Sequence, residues 1–395
     1  MNRQFVILIL FFISCNEPNE HTEPPYSQVN IPWSTILNSP WPVENHDFQN
    51  TNRSQYAGPK STPTLEIYDI NLGRYTPFTL DNSGNVYFSR ASNLFRVNTN
   101  DISVDTLYDI PNPSWSYPST LILENNLALF FHWNGWIYFY DYINDTLSHS
   151  VQIDDNIWAS SIVDLNNEIW VPCDNKLVKI SMAGTEILTL EIPNIMGGGI
   201  SPDGETVYFS NSDYLYAIHN ETGEILNTYS GRIHTHPTIS NEGNLFVIDR
   251  NDTSFTSLDS ELNILWKYSY GQKGGQYLPA EPGAIDYNGN YYTTGSIQDV
   301  QYLLSIGFEG ELNWEVEVNH SIYAGPVIDI NNNIYVTGRG RTSDDGWGGY
   351  LSCYNDGGIL QWKVELDYYY FNLAIIIMPN GSIIISNRED FHVVG

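Results

Sequence analysis

The chain of 395 residues holds 46 Asp and Glu against 16 Lys and Arg, a formal net charge of −30. So negative a field repels phosphate backbones and anionic bilayers, which excludes nucleic acid as a partner and adhesion to a membrane through a basic patch. Hydrophobic residues at 42 % and aromatics at 14 % exclude a disordered chain, and 28 Tyr set among Asn, Gly and Thr favour strands and turns over helices.

The first residues read as an address. Met1 to Gln4 carries one positive charge, and Phe5 to Ile13 is an unbroken apolar run. A bilayer core needs about 20 residues, so this run is the core of a signal peptide and not a membrane span. It ends in Phe12-Ile13-Ser14-Cys15, which resembles the lipobox of bacterial lipoproteins. The resemblance implies that residues 1–14 are removed, that Cys15 is lipidated, and that the protein is held at the cell envelope by its lipid. An ordinary signal peptide with an incidental cysteine is the alternative. The polar, Pro-rich stretch from Asn16 to Tyr26 suits a tether, and residues 15–60 are expected to be tether and leader ahead of one domain over 61–395. Besides Cys15 there are only Cys173 and Cys353, with no metal-site or redox spacing.

Eight turns recur after residue 60. Their central residues are Gly84, Asn126, Asn167, Gly204, Gly243, Gly289, Asn332 and Gly381, spaced by 42, 41, 37, 39, 46, 43 and 49 residues. Each lies between short apolar runs. A period of about 40–50 residues with four strands per unit signals a β-propeller blade. The expected fold is all-β: an eight-bladed β-propeller of four-stranded blades. The last blade has only three strands before the chain stops, so the run Thr64 to Ile70 is expected to supply its outer strand and close the ring. Seven blades with a stray hairpin is the alternative.

Blade four shows the unit in full, from Gly199-Ile200-Ser201 through Thr206 to Ser210, Tyr214 to His219 and Glu224-Ile225-Leu226. Its Asp203-Gly204, Leu215-Tyr216-Ala217 and Thr222-Gly223 resemble the pyrroloquinoline-quinone-type (quinoprotein-type) propeller repeat. That repeat closes on a Trp, present here as Trp266, Trp314 and Trp362 and replaced in blade four by Asn227. The resemblance implies that these tryptophans dock one blade on the next. The stretch from Pro40-Trp41-Pro42 to Gly58-Pro59 looks like the leader that precedes such propellers in bacterial envelope proteins.

Quinone chemistry does not follow from this likeness. The family's alcohol dehydrogenases carry adjacent cysteines and a calcium site in a longer chain; adjacent cysteines are missing here, and no cofactor is expected. Asp164-Leu165-Asn166, Asp286-Tyr287-Asn288 and Asp329-Ile330-Asn331 supply too few oxygens for calcium and read as turn residues. His234 and His236 share one face of an extended stretch without a third metal ligand, and read as surface or channel-lining groups. No catalytic or metal-site residues are assigned.

In a propeller, the loops between second and third strands and those leading to the next blade emerge on one face. Here they gather a candidate binding face of Trp115, Tyr117, Trp133, Trp158, His234, His236, Tyr277, Tyr323, Trp347 and Tyr369. Rigid aromatic faces beside polar neighbours anchor proteins, peptides or sugar rings. The stretch Arg339 to Gly348 reads as an insertion in blade seven that carries Trp347 at its tip. The architecture resembles scaffold lipoproteins of the outer-membrane barrel-assembly machinery. The expected function is therefore a non-catalytic envelope lipoprotein whose propeller binds a protein, with a carbohydrate-binding or carbohydrate-active propeller as the alternative.

Overall fold

The computed structural model describes residues 25–68, 78–90, 92–114, 118–233, 235–269, 282–297, 300–318, 321–322, 324–341, 347–366, 375–386 and 391–395. It is an eight-bladed β-propeller, and no helix occurs among the described residues. The innermost strands are Thr79–Leu80, Leu121–Ile122, Ile162–Val163, Gly197–Ile200, Thr238–Ile239, Ala284–Ile285, Val327–Ile328 and Ile375–Ile377, one for each of blades one to eight. In blades one to seven the remaining strands follow antiparallel in chain order toward the rim. The innermost strand of blade seven is preceded by the short strand Ser321–Ile322, paired to the same neighbour.

Burial explains the strand patterns. The middle strands are sandwiched between neighbouring blades, so Leu245–Asp249 and Ser254–Leu258 of blade five are buried at every position. Outer strands cover a blade on one side only. Thr146–Gln152 of blade two therefore alternates between exposed and half-buried residues.

All eight turn residues predicted from the sequence adopt positive φ, from 58° at Asn332 to 87° at Gly289. Gly and Asn stand there because only they enter this region at little cost. In blades one, six and seven the turn opens with an aspartate whose oxygens are filled from within the fold. Asp286 Oδ1 accepts the amides of Asn288 and Asn290, both at 2.8 Å, while Oδ2 accepts Asn290 Nδ2 at 3.0 Å and the Tyr292 hydroxyl at 2.8 Å. Asp81 with Tyr87 and Asp329 with Tyr335 repeat the pattern. These carboxylates fasten turns.

The last blade is closed by the N-terminal strand, as predicted. Leu65–Tyr68 pairs antiparallel with Phe391–Val394 in the register Leu65 to Val394. Blade seven differs from its sequence reading. Its second and third strands run on as a long hairpin, Ile334–Arg341 with Trp347–Tyr354, so half of the supposed insertion is sheet and the rest, 342–346, lies outside the described residues.

Blades are fastened to one another at the rim. The indole N–H of Trp266 donates to Phe308 O at 2.8 Å in the next blade, and that of Trp314 to Asp356 O at 2.7 Å. Trp362 reaches Pro59 O at 3.0 Å, in the chain leading to the closing strand. Between blades three and four the tie is a hydrogen bond from a buried lysine whose ion-pair partners belong to its own blade. Lys179, fully buried, lies 2.8 Å from Asp164 and 2.6 Å from Glu168, and donates to Asn220 O at 2.8 Å.

Candidate functional site

A ring of blades leaves the inner edge of each innermost strand facing the central channel, with backbone groups that need partners. The leader supplies them. At the channel end of six blades an amide donates to a leader carbonyl: Leu80 to Trp41, Ile122 to Pro42, Ile200 to Phe48, Ile239 to Gln49, Ile285 to Thr51 and Ile328 to Asn52, at 2.7–3.1 Å. In blade three Trp33 Nε1 donates to Val163 O at 3.1 Å. The leader thus visits the blades in turn and seals the channel at the face that carries the turns between first and second strands.

Side chains complete the plug. Asn50 Nδ2 bridges Gly198 O and Pro237 O at 2.8 and 2.9 Å, and Asn52 Nδ2 reaches Gly283 O. The buried Arg53 spends its donors on Val29 O, Asn30 Oδ1 and the carbonyls of Ile285 and Asp286, beneath the Tyr287 ring. Burial alone would raise the pKa of Asp47, yet His46 and the Thr51 amide and hydroxyl hold it below the usual value. Asn45, His46, Asn50 and Asn52 all sit at positive φ, so the plug is wound tightly enough to need left-handed backbone at four non-glycine residues.

With the leader on one face, the opposite face remains for a ligand or partner. Of the residues expected there, Trp115, Tyr117, His234, Tyr277, Tyr323 and Tyr369 lie outside the described residues. Trp347 pairs with Arg341 at the end of the blade-seven hairpin, and its side chain lies outside the description. Trp133 and Trp158 remain beside blades two and three, and His236 beside blade five. His236 is half-buried at the channel wall, with Nδ1 3.2 Å from both the N–H and the O of Gly198. Trp133 is half-buried in the turn between the second and third strands of blade two.

Trp158 stands apart. Its side chain is 44 % exposed, on the connection from blade two to blade three. That connection is pinned on both sides: Ile157 N–H donates to Trp133 O and Trp158 N–H to Pro172 O, at 3.1 and 3.2 Å. The neighbours tighten it further, with Asn156 Nδ2 on Asp174 and the Asn175 amides on Asp155. An aromatic ring presented on a backbone held this firmly loses little entropy when it is covered.

Fold and channel together define an eight-bladed β-propeller plugged by its own leader. Solved structures of this architecture include BamB from Moraxella catarrhalis, with TM-score 0.63 and 13 % identity over 84 % of this chain and 98 % of that one. The quinohemoprotein alcohol dehydrogenase from Comamonas testosteroni gives 0.66 and 10 % identity, covering 90 % of this chain and 80 % of that one. A europium-containing methanol dehydrogenase gives 0.65 and 11 %, with 88 % and 89 % covered. At these identities the likeness is one of fold. No family model matches the sequence, and no curated protein does at a significant level.

The residues do not fit the quinone of the dehydrogenases. No two cysteines are adjacent, and Cys173 and Cys353 are free and buried in blades three and seven.

Proposed function

We propose that the chain is a non-catalytic cell-envelope lipoprotein, anchored through Cys15, whose propeller is a docking scaffold for a protein partner on the face opposite the leader. Trp158 carries this reading. A large ring left 44 % exposed on a backbone pinned from both sides resembles the anchors of protein interfaces, which favour preorganised Trp and Tyr. The fold likeness to BamB and the scaffold lipoproteins that the sequence resembles support the same reading. The filled carboxylates of the turns support a binding role over a catalytic one.

The experiment is a pull-down from detergent-solubilised envelope with wild type and Trp158→Ala. A partner recovered in stoichiometric amount with wild type, and lost from a variant of unchanged melting temperature, is the expected result. Binding to a glycan array without any such partner would replace the scaffold with the carbohydrate reading. The anchor is tested separately: Cys15→Ser should move the protein from the membrane to the soluble fraction, and unchanged fractionation would remove the lipoprotein assignment.

A further inference from the structure

Sixteen consecutive leader residues, Ser39 to Ser54, are buried except two, Glu44 and Asn45. These two are half-buried, Glu44 bonded to Ser160 and Asn45 to Asn50. Strand register identifies the wall around them: three residues before the last residue of each innermost strand stand Ser119, Ser160, Gly197, His236, Pro282 and Gly325 in blades two to seven. Neighbours at this level touch. Ser119 Oγ lies 3.1 Å from Ser160 Oγ, a Cβ on Gly197 would come within 2.7 Å of the His236 ring, and one on Gly325 within 2.3 Å of Pro282 O. The channel therefore has a throat, and Glu44 is the carboxylate in it.

We propose that this throat is a binding site for a ligand carrying a primary ammonium group, with Glu44 as its counter-ion. The hydrogen bonds orient the carboxylate for that role. Ser119 Oγ–H and N–H both donate to Ser160 Oγ, whose own proton goes to Glu44 Oε2. Oε1 has no protein donor among the described residues, and no Lys or Arg there forms an ion pair with Glu44. A half-buried carboxylate with no ion-pair partner among the described residues is open to a cation, in a chain whose charge of −30 draws cations toward it.

The acceptors suit the compact head of an alkylamine. An ammonium offers three N–H donors. Glu44 Oε1 takes one. Asn45 gives its side-chain N–H to Asn50 Oδ1, which leaves its own Oδ1 to accept, and the His236 tautomer that donates Nδ1–H to Gly198 O leaves Nε2 as an acceptor. A divalent metal fits less well. It wants several carboxylates or imidazoles together, and no cluster of three or more His, Cys, Asp or Glu occurs among the described residues.

Calorimetric titration of the full-length chain with putrescine tests the proposal, since putrescine has two primary ammonium groups on a short alkyl chain and little else. Saturable one-to-one binding is expected, weakened at least tenfold in Glu44→Gln, which keeps the shape and the Ser160 bond but removes the charge. Asp259→Asn, a charge change on an outer turn, should bind as wild type. Ser160→Ala, which leaves the charge but frees its orientation, should weaken binding severalfold and serves if Glu44→Gln fails to fold. Titration with N-acetyl-lysinamide shows whether the ammonium is accepted from a polypeptide side chain as well as from a free amine; in either case binding must depend on Glu44. Equal affinity in wild type and Glu44→Gln, or a titration without saturation, overturns the proposal. Trp158 plays no part in it, so failure here leaves the docking face standing.

Discussion

His149 Nε2–H donates to the carbonyl of Met182 at 2.9 Å, which fastens blade two to blade three as Trp266 fastens blade five to blade six through Phe308. The acceptors are equivalent: Met182, Phe308 and Asp356 each stand two residues before a glycine of positive φ, at 184, 310 and 358. The cross-strand neighbours explain the change of ring. Trp266, Trp314 and Trp362 lie opposite Ser257, Ser305 and Cys353, whereas His149 lies opposite Phe139 and stacks on it at 4.2 Å. A large ring on the outer strand goes with a small neighbour, and a small ring with a large one.

This compensation predicts a sign. His149→Trp should cost about 1–3 kcal/mol by crowding Phe139, as overpacking does. Phe139→Ser should cost about 3 kcal/mol or more by emptying a fully buried site. The double variant should be more stable than the sum predicts, by about 1 kcal/mol or more. Chemical denaturation of the four proteins checks it, and simple additivity would show that the two rings are not matched.

Much of this architecture is legible in the sequence. The turns at Gly84 to Gly381 are readable because a left-handed backbone position admits so few residue types. The closing strand is readable because three strands at the end of the chain demand a fourth. His149 is not readable by residue type, although its position gives it away. It stands four residues after the positive-φ residue Asp145, just as Trp266, Trp314 and Trp362 stand four after Leu262, Gly310 and Gly358. The leader's role as a plug is the least legible feature. Its partners are backbone groups of seven blades spread over some 250 residues of sequence, from Leu80 to Ile328, and backbone carries no pattern of side chains. Glu44 was hidden for the same reason, since nothing local marks it as one of two half-buried residues in a buried segment.

Lys179 gives a second test, of the buried ion pairs within blade three that hold the lysine reaching across to Asn220 of blade four. Removing its charge as Lys179→Met leaves Asp164 and Glu168 without their cation beside the Trp170 ring. Loss of one partner from a buried pair costs about 3–5 kcal/mol. Adding Asp164→Asn to Lys179→Met should recover part of that loss, because the stranded charge disappears. If the double variant is no more stable than Lys179→Met, the penalty comes from packing and not from charge.

The dependence of stability on pH has a specific source in His132. This side chain is fully buried against Tyr138, and burial, outweighing the Ser114 backbone, pushes its pKa down from 6.5 to about 4. The folded-state pKa lies below the unfolded one, so the unfolded chain binds the proton first as pH falls. Stability contributed by the neutral ring is complete above about pH 6.5 and is lost progressively toward pH 4, by about 3 kcal/mol in all. His132→Phe removes the titrating group and should flatten that stretch of the stability profile. Urea unfolding at half-unit steps of pH measures it. A variant with the wild-type slope would assign the acid sensitivity elsewhere.

Ring closure rests on four residues near the start of the domain, and backbone and side-chain effects can be separated there. Thr64 and Gly395 exchange both of their backbone hydrogen bonds, at 2.8 and 3.1 Å. Antiparallel pairs alternate between bonded and non-bonded positions, so two residues on, Glu66 and Val393 form the next bonded pair. The Glu66 side chain is exposed and contributes little packing. Glu66→Ala should therefore change stability by no more than about 0.5 kcal/mol. Glu66→Pro removes the donor and breaks the register of the strand that closes the last blade, and should cost about 3 kcal/mol or more. The opened ring would expose the edge of Phe391–Val394, a ready template for pairing with another chain, so aggregation on mild heating should accompany the loss. Thermal unfolding followed by light scattering reads both effects. If proline were tolerated as well as alanine, the N-terminal strand would be an ornament on an already stable blade and not its closure.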